Sequence, residues 1–280
     1  MPSIASPPNP HQAPPVQQLR AAMQANRLLA VMPPDALERL MPHMAIVKLA
    51  PGETLYNGDL VLEHVYFPLD LIVTLLLQLG GHTPTKLAMV GCEGVVGISA
   101  YMGGGRPQGS AVVLNKGEAI KLSAAVMKAE FDLNGATMRL LLRFTQALVT
   151  QMAQTAVCNR HHVVEQQLSA WLLTCMDRLP PGTNRPESLL KRRPDRRPGN
   201  TPSDFPNSLQ ITQATVAEIL GVRREAISDA AGKLRDLGLI AFRRGRISLL
   251  DRPGLQAKAC ECYQVVKRET SRLLPDRPAT

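Results

Sequence analysis

The chain has 280 residues, a formal net charge of +9 and a pI near 9.6, so a polyanionic partner is favoured over a neutral one. Apolar residues make up 45% of it, which is enough to build real cores, and the length predicts two domains. No apolar run reaches the roughly 18 residues that a membrane span requires. The composition therefore excludes a membrane-spanning protein and indicates no membrane partner.

The first 25 residues are rich in Pro, Gln and Ser and are predicted to form a disordered arm. They lack the charged start and apolar middle of a signal peptide, so we expect a cytoplasmic protein with reduced cysteines. Cys260 and Cys262 form a C-x-C pair that would point to different faces of a helix, which favours isolated thiols. We therefore predict neither a metal site nor a cofactor.

The segment 26–137 is expected to form an α+β sensor domain built on a β-barrel of the jelly-roll type. A short helical entry precedes apolar runs that alternate with turn signals such as "PGE", "YNGD" and "NKGE". The runs predicted to be strands are 65–68, 71–79, 86–90 and 110–114.

Residues 138–160 contain neither Gly nor Pro and are predicted to form one long helix. Apolar and small residues recur on it every seven residues, as in the seam of a coiled coil. The predicted dimer contacts are Leu142, Thr145, Val149, Met152 and Ala156. The alternative is a helix that lies across its own domain.

The C-terminal domain is predicted at 161–265, after a hinge at 159–163, and 266–280 is expected to be a tail. A second helix at about 163–179 is followed by 180–208, a Pro-rich basic stretch that we interpret as a flexible insertion. Residues 183–252 hold 14 Lys and Arg against 8 Asp and Glu. The basic excess of the chain is therefore concentrated in this domain.

The stretch "TQATVAEILGVRREAISDAAGKLRDLGLI" predicts a helix-turn-helix. Thr212 can cap the first helix, and Gly221 supplies a turn that needs positive φ. The inward face of the second helix is predicted to include Ile227, Leu234 and Leu237.

Arginines at the start of the second helix oppose the helix dipole, so an external anion is their natural partner. Arg can hydrogen-bond guanine O6 and N7, and Glu can accept from the cytosine amino group. The predicted base-reading residues are Arg223, Arg224, Glu225, Ser228 and Asp229.

The stretch "LIAFRRGRISLL" predicts two short strands around a turn at Gly245, which is typical of a wing. Its arginines are expected to contact DNA phosphates and to add affinity rather than sequence specificity. The predicted phosphate contacts are Thr212, Gln213, Lys233, Arg243, Arg244 and Arg246.

The order of these segments resembles the Crp–Fnr family of bacterial transcription regulators over about residues 26–265. The resemblance rests on "PGETLYNGD", "VGCEGVVGISAYMGGG", "GSAVVLNKGEAIKL", the long helix and the helix-turn-helix. It implies a cyclic-nucleotide-binding-like domain, dimerisation along the long helix, winged-helix binding to double-stranded DNA, and RNA polymerase as a further partner. Asp229 stands where the family has a second arginine, which implies that other bases are read.

The resemblance also implies an effector pocket, and the chain departs from the family there. The residues that fall at the family's two nucleotide-binding motifs are Gly91, Glu93, Gly94, Gly109 and Ser110. The arginine that would bind a cyclic phosphate is absent, so cyclic AMP is not the expected effector. The family's iron–sulfur branch needs N-terminal cysteines, and no cysteine precedes Cys92.

Other functional classes have less support. The chain has no P-loop, no zinc-ligand set and no G-x-S-x-G elbow, so we do not expect an enzyme. The remaining alternative is a protein-binding regulatory module with a degenerate sensor barrel.

Overall fold

The computed structural model describes residues 16–58, 60–78, 80, 84–179, 208–243 and 245–274. It has an N-terminal domain of strands and short helices, a long helix, and a C-terminal helical domain with a small sheet. The α+β class and the order of the three parts agree with the sequence prediction. The predicted insertion lies outside the described residues, except that Ser208 begins a strand.

The N-terminal domain begins with helices that are packed rather than disordered. They are α1 (Val16–Met23), α2 (Arg27–Ala30) and α3 (Pro34–Leu40). The prediction of a disordered arm is wrong for residues 16–25, because Leu19 and Met23, four residues apart on α1, are buried in the domain core. The remainder of that prediction, residues 1–15, lies outside the described residues.

Two antiparallel sheets form the body of this domain, which we call the β-domain. The strands are β1 (Met44–Leu49), β2 (Thr54–Tyr56), β3 (His64–Pro68), β4 (Val73–Leu77), β5 (Thr85–Val90), β6 (Ser110–Val113) and β7 (Gly117–Ser123). One sheet has the order β1-β7-β3 and the other β2-β6-β4-β5. The four strands predicted from the sequence correspond to β3, β4, β5 and β6 and are confirmed.

Three helices follow, namely α4 (Ala124–Asp132), α5 (Ala136–His161) and α6 (Val164–Asp177). Helix α5 has 26 residues and is therefore roughly 39 Å long. Leu141, Phe144 and Leu148 on one of its faces are buried in the core of the β-domain. The long helix is confirmed, and the break at His162 and Val163 lies within the predicted hinge.

The C-terminal domain packs around Trp171, Ile227 and Leu234. Its further elements are β8 (Ser208–Gln210), α7 (Gln213–Leu220), α8 (Arg224–Asp236), β9 (Ile240–Arg243), β10 (Arg246–Leu249), α9 (Arg252–Lys258) and α10 (Glu261–Leu273). The small sheet has the order β8-β10-β9. Strand β8 gives the sheet a third member that the sequence analysis missed.

The final helix connects the two domains. The C-terminal domain is predicted from the sequence to end at residue 265, but α10 continues to Leu273 and packs along α5. Leu274, which follows it, is buried in the core of the β-domain. Residues 266–274 are therefore part of the folded protein, and 275–280 lie outside the described residues.

Candidate nucleic-acid interface

The turn between α7 and α8 forms as the sequence predicts. Thr212 caps α7, and its Oγ1 accepts a hydrogen bond from the Thr215 amide at 3.1 Å. Gly221 ends the helix with φ +68°, a left-handed conformation in which a Cβ is strained. Both sequence predictions are confirmed, and the turn fixes the angle at which α8 leaves α7.

The inner face of α8 holds it against the domain core. Ile227 and Leu234 are fully buried, and Ala230 is 4% exposed. Leu237 was predicted to continue this face, but it is 54% exposed. It lies at the C-cap, where the chain leaves the helix, so the helical spacing no longer carries it inward.

The outer face of α8 is open to solvent from its first residue. The predicted base-reading residues are all exposed on it, as is one predicted phosphate contact: Arg223, Arg224, Glu225, Ser228, Asp229 and Lys233. Arg223 is the N-cap, and its side chain makes no capping hydrogen bond. Ser228 donates to Gln213 Oε1 at 2.8 Å, which links the outer faces of α7 and α8.

The predicted wing is a two-stranded turn with arginines beside it. Arg243 and Arg246 form the last cross-strand pair, and Gly245 has φ +72° in the two-residue loop. Arg243 is exposed, whereas Arg246 is partly buried and donates to Ser208 Oγ at 2.8 Å. Arg244, the remaining predicted phosphate contact of the wing, lies outside the described residues.

Within the part of the chain that the structure describes, no acidic side chain neutralises the charge at this surface. Among the described residues, no carboxylate lies within 4.0 Å of the charged groups of Arg223, Arg224, Arg243 or Lys233. Two of these arginines stand at the N-terminus of α8, where the helix dipole disfavours positive charge. An anion supplied from outside would satisfy both the arginines and the free amides of the first turn.

The residues predicted to form an effector pocket lie in two separate groups, Gly91, Glu93 and Gly94 in one and Gly109 and Ser110 in the other. Gly91 follows Val90, the partner of Val73, whereas Gly109 precedes Ser110, the partner of Leu76, so the two glycines lie at opposite ends of β4, roughly 17 Å apart along the strand. A side chain at Gly94 would collide with the Phe144 ring, which explains this glycine by packing. A side chain at Gly109 would likewise collide with the carbonyl of Leu76 in β4.

Glu93 is a structural residue in this arrangement. Its Oε1 lies 2.9 Å from Nε of Arg178, and the two side chains are 7% and 8% exposed. The same guanidinium donates to the Met89 carbonyl and to Gln151 Oε1. Assignment of Glu93 to an effector is thus corrected: it pairs the β-domain with the end of α6. Ser110 stays in the sheet, opposite Leu76.

The predicted dimer residues divide between two faces of α5. Leu142 and Val149 are 40% and 52% exposed, and Ala156 is also exposed. These three residues, spaced seven apart, form a stripe that faces outward. Thr145 is 8% exposed and hydrogen-bonds the hydroxyl of Tyr101. Met152 packs against the core of the β-domain. Thr145 and Met152 therefore belong to the face that lies across the protein's own domain.

A thiol cluster contradicts the prediction of isolated cysteines. The ligand atoms of Cys158, His162, Cys260 and Cys262 all lie within 4.8 Å of one another. The prediction failed because Cys260 is not helical: it is the extended N-cap of α10, with φ −71° and ψ 162°, and so converges with Cys262. The Cys158 thiol beside it lowers the pKa of Cys260 to about 6, and burial raises the pKa of Cys262 to about 11.

One protein-family model is similar to part of this chain. Residues 166–258 match the model of the Crp-like helix-turn-helix domain. None of the curated proteins compared with the chain is similar enough in sequence to count as a relative.

No helix among the described residues is long and apolar enough to cross a membrane.

Solved structures of regulators share the architecture over most of the chain. FixK2 from Bradyrhizobium japonicum is 16% identical, with a TM-score of 0.57 over 78% of this chain and 98% of its own. A CRP-family transcriptional regulator from Thermus thermophilus is 19% identical, with a TM-score of 0.56 over 76% and 96%. CLP, a c-di-GMP responsive global regulator from Xanthomonas campestris, is 14% identical, with a TM-score of 0.53 over 78% and 99%. The chain therefore contains a Crp-like helix-turn-helix domain and shares the overall fold of these solved regulators.

Proposed function

We propose that the protein acts as a homodimer that reads a palindromic operator by placing one α8 helix of each subunit in the major groove. The observation that carries this proposal is the exposure of Arg223 and Arg224 at the start of α8, without a carboxylate partner among the described residues, together with Arg243 exposed on the wing. In a two-fold dimer the half-sites lie about one helical turn apart, roughly 34–36 Å.

Base reading falls to the first two turns of α8. Arg224 binds guanine O6 and N7 through two hydrogen bonds, and Glu225 accepts from a cytosine amino group. The rest of the exposed base-reading surface consists of Arg223, Ser228 and Asp229. Of these, Asp229 offers a second hydrogen-bond acceptor for a cytosine amino group. This residue set favours a G·C-rich half-site.

Phosphate contacts surround this surface and set the position of the helix on the duplex. Arg243 and Lys233 are exposed, Arg246 lies opposite Arg243 on the wing, and Arg244, which follows Arg243 in the sequence, is proposed as a further contact. Thr212 and Gln213 are already engaged in the cap and in the bond to Ser228, so they present short polar groups rather than charge. Most of the salt-dependent affinity therefore comes from the arginines and the lysine.

Dimerisation uses the outward stripe of α5. Leu142, Val149 and Ala156 recur every seven residues, and large apolar side chains on an open helix face are best explained by a partner. Two copies of the stripe pack as a parallel pair and bring both C-terminal domains to one side. The two α8 helices can then address one face of DNA.

The effector, if one acts, is a small molecule other than cyclic AMP. The chain lacks the phosphate-binding arginine, and Glu93 is engaged by Arg178. CLP, which resembles this chain in fold, is c-di-GMP responsive, so the fold accepts other signals. A signal would act by shifting the population of two dimer states about the hinge at 159–163. We further propose RNA polymerase as the partner of the DNA-bound dimer, in the cytoplasm.

Selection of bound duplexes from a random pool tests the proposal. The full chain should enrich a palindrome, and Arg224→Ala should relax the preference at one position of each half-site, a loss of about 1–3 kcal/mol against the wrong base. The matched control is Arg235→Ala, which removes an arginine of α8 that is paired with Asp236. Its enriched sequence should equal that of the wild type.

Two results would contradict the proposal. If Arg224→Ala enriches the same sequence as the wild type, α8 does not read bases through that residue. If the wild-type chain retains no duplex at all, the alternative of a protein-binding module with a degenerate barrel is favoured.

A further inference from the structure

We propose that Cys158, His162, Cys260 and Cys262 bind a single Zn²⁺ ion at the junction between the long helix and the C-terminal domain. The four residues come from three places in the chain: the last turn of α5, the hinge, and the start of α10. Three thiolates and one imidazole are a ligand set typical of structural zinc. We call this group the Cys3His cluster.

The distances fit one tetrahedral ion. Zinc bonds of about 2.3 Å to sulfur and about 2.0 Å to nitrogen imply edges of roughly 3.8 Å between sulfurs and roughly 3.5 Å between sulfur and nitrogen. The Cys158 and Cys260 sulfurs lie 3.6 Å apart, and Cys262 Sγ lies 3.6 Å from His162 Nδ1. All four ligand atoms fall within 4.8 Å of one another, so they surround a space of the size of one ion.

The backbone and a neighbouring carboxylate prepare the ligands. Cys260 and Cys262 occupy the N-cap and second position of α10, a helix of 13 residues whose N-terminal dipole stabilises thiolates. His162 Nε2 lies 3.2 Å from Glu261 Oε1, which leaves Nδ1 turned toward Cys262. A carboxylate that holds the far nitrogen of a ligating histidine is a recurrent feature of zinc sites.

The ligand chemistry favours zinc over hard metal ions and over an iron–sulfur cluster. Thiolate and imidazole ligands disfavour Mg²⁺ and Ca²⁺, which prefer oxygen. An iron–sulfur cluster spreads its thiolates over several iron atoms, and the four atoms here are too close together for that. Zinc with three thiolates carries one net negative charge, and Lys86 lines the adjoining cavity with Cys158 and Cys262. Binding displaces the remaining thiol protons to solvent, and the imidazole binds as the neutral base.

The position of the cluster gives the ion a mechanical role. Cys158 belongs to the helix that crosses the β-domain, and Cys260 and Cys262 belong to the C-terminal domain. One ion bonded to the end of α5, to His162 and to the start of α10 would fix the angle between α5 and the C-terminal domain. This consequence for DNA binding depends on the proposed function, whereas metal binding does not.

Metal analysis of the full chain, purified with a reductant, tests the proposal. The protein should bind one Zn²⁺ per chain, and Co²⁺ in its place should give the visible bands of a tetrahedral thiolate site. Cys262→Ser should abolish stoichiometric binding. Glu261→Gln, at an exposed position that does not threaten folding, should weaken zinc affinity about 10- to 100-fold.

The matched control is Cys175→Ala, which removes a buried thiol outside the cluster and should leave zinc binding unchanged. The proposal is overturned if the reduced wild-type chain binds no zinc, or if Cys262→Ser and Glu261→Gln bind it as tightly as the wild type. It is also overturned if Cys158 and Cys260 form a disulfide that persists under the reductant. Zinc bound without any duplex binding would refute the DNA proposal alone.

Discussion

The buried pair between Glu93 and Arg178 offers a sharp test of the conclusion that Glu93 is structural. Glu93→Gln keeps the size of the side chain and removes its charge. Arg178 Nε lies 2.9 Å from Glu93 Oε1, so at an effective dielectric constant of about 20 the attraction is about 6 kcal/mol before desolvation. Removal of one partner leaves the other charge buried, which typically costs about 3–5 kcal/mol.

Thermal unfolding followed by circular dichroism measures this loss. At about 2–4 °C per kcal/mol for a protein of this size class, the midpoint should fall by roughly 6–20 °C. Glu93→Gln combined with Arg178→Met should recover part of it, because no unpaired charge stays buried. The control is Glu269→Gln, which breaks the exposed pair with Arg272 and should cost at most about 1 kcal/mol. An unchanged midpoint in Glu93→Gln, together with loss of a response to a nucleotide, would refute the reasoning.

Two further variants test the dimer stripe and the helix-turn-helix turn. Val149→Glu should shift the protein from dimer to monomer in analytical ultracentrifugation. The control is Leu133→Glu, at a side chain that is 60% exposed at the C-cap of α4, which should leave the dimer intact. If the two variants behave alike, the stripe is not the dimer interface. Gly221→Ala should destabilise the protein by about 1–2 kcal/mol in urea. Its φ of +68° disfavours a Cβ, although an added Cβ would meet no described atom within 4 Å outside the adjoining backbone. Gly232→Ala, inside α8 with equal space, should instead be neutral or stabilising by up to about 1 kcal/mol, and a loss there equal to that of Gly221→Ala would argue against a backbone cause.

Much of the fold could be predicted because local signals and packing agree. The turn at Gly221, the cap at Thr212 and the uninterrupted helix after residue 136 each follow from a residue type at a defined spacing. The wing could be located for the same reason, from strand propensity around Gly245. In these places no long-range contact competes with the local preference.

The errors arise where a distant contact decides the outcome. Glu93 resembles a ligand-binding residue in the sequence, but Arg178, 85 positions later, takes its charge. Thr145 fits a heptad seam, yet Tyr101 and the β-domain cover it. The spacing of residues within one element could not reveal either partner.

The Cys3His cluster shows the same limit most clearly. Cys158 and Cys260 are separated by 102 positions and meet only because α10 returns along α5. A C-x-C pair points to two faces only when both residues are helical, and here the first is the extended N-cap. The usable signal was the His four residues after Cys158, just past the end of a predicted helix.

The central claim is that exposed arginines on α8 and the wing bind the phosphates and bases of duplex DNA, and salt-titrated fluorescence anisotropy tests it most directly. The logarithm of the association constant for a selected duplex should fall linearly with the logarithm of salt concentration, by about 0.9 per neutralised phosphate. Arg243→Ala should make that slope shallower by about 1 and weaken all duplexes alike. A wild-type affinity that does not change with salt, or an Arg243→Ala slope equal to that of the wild type, would contradict the account.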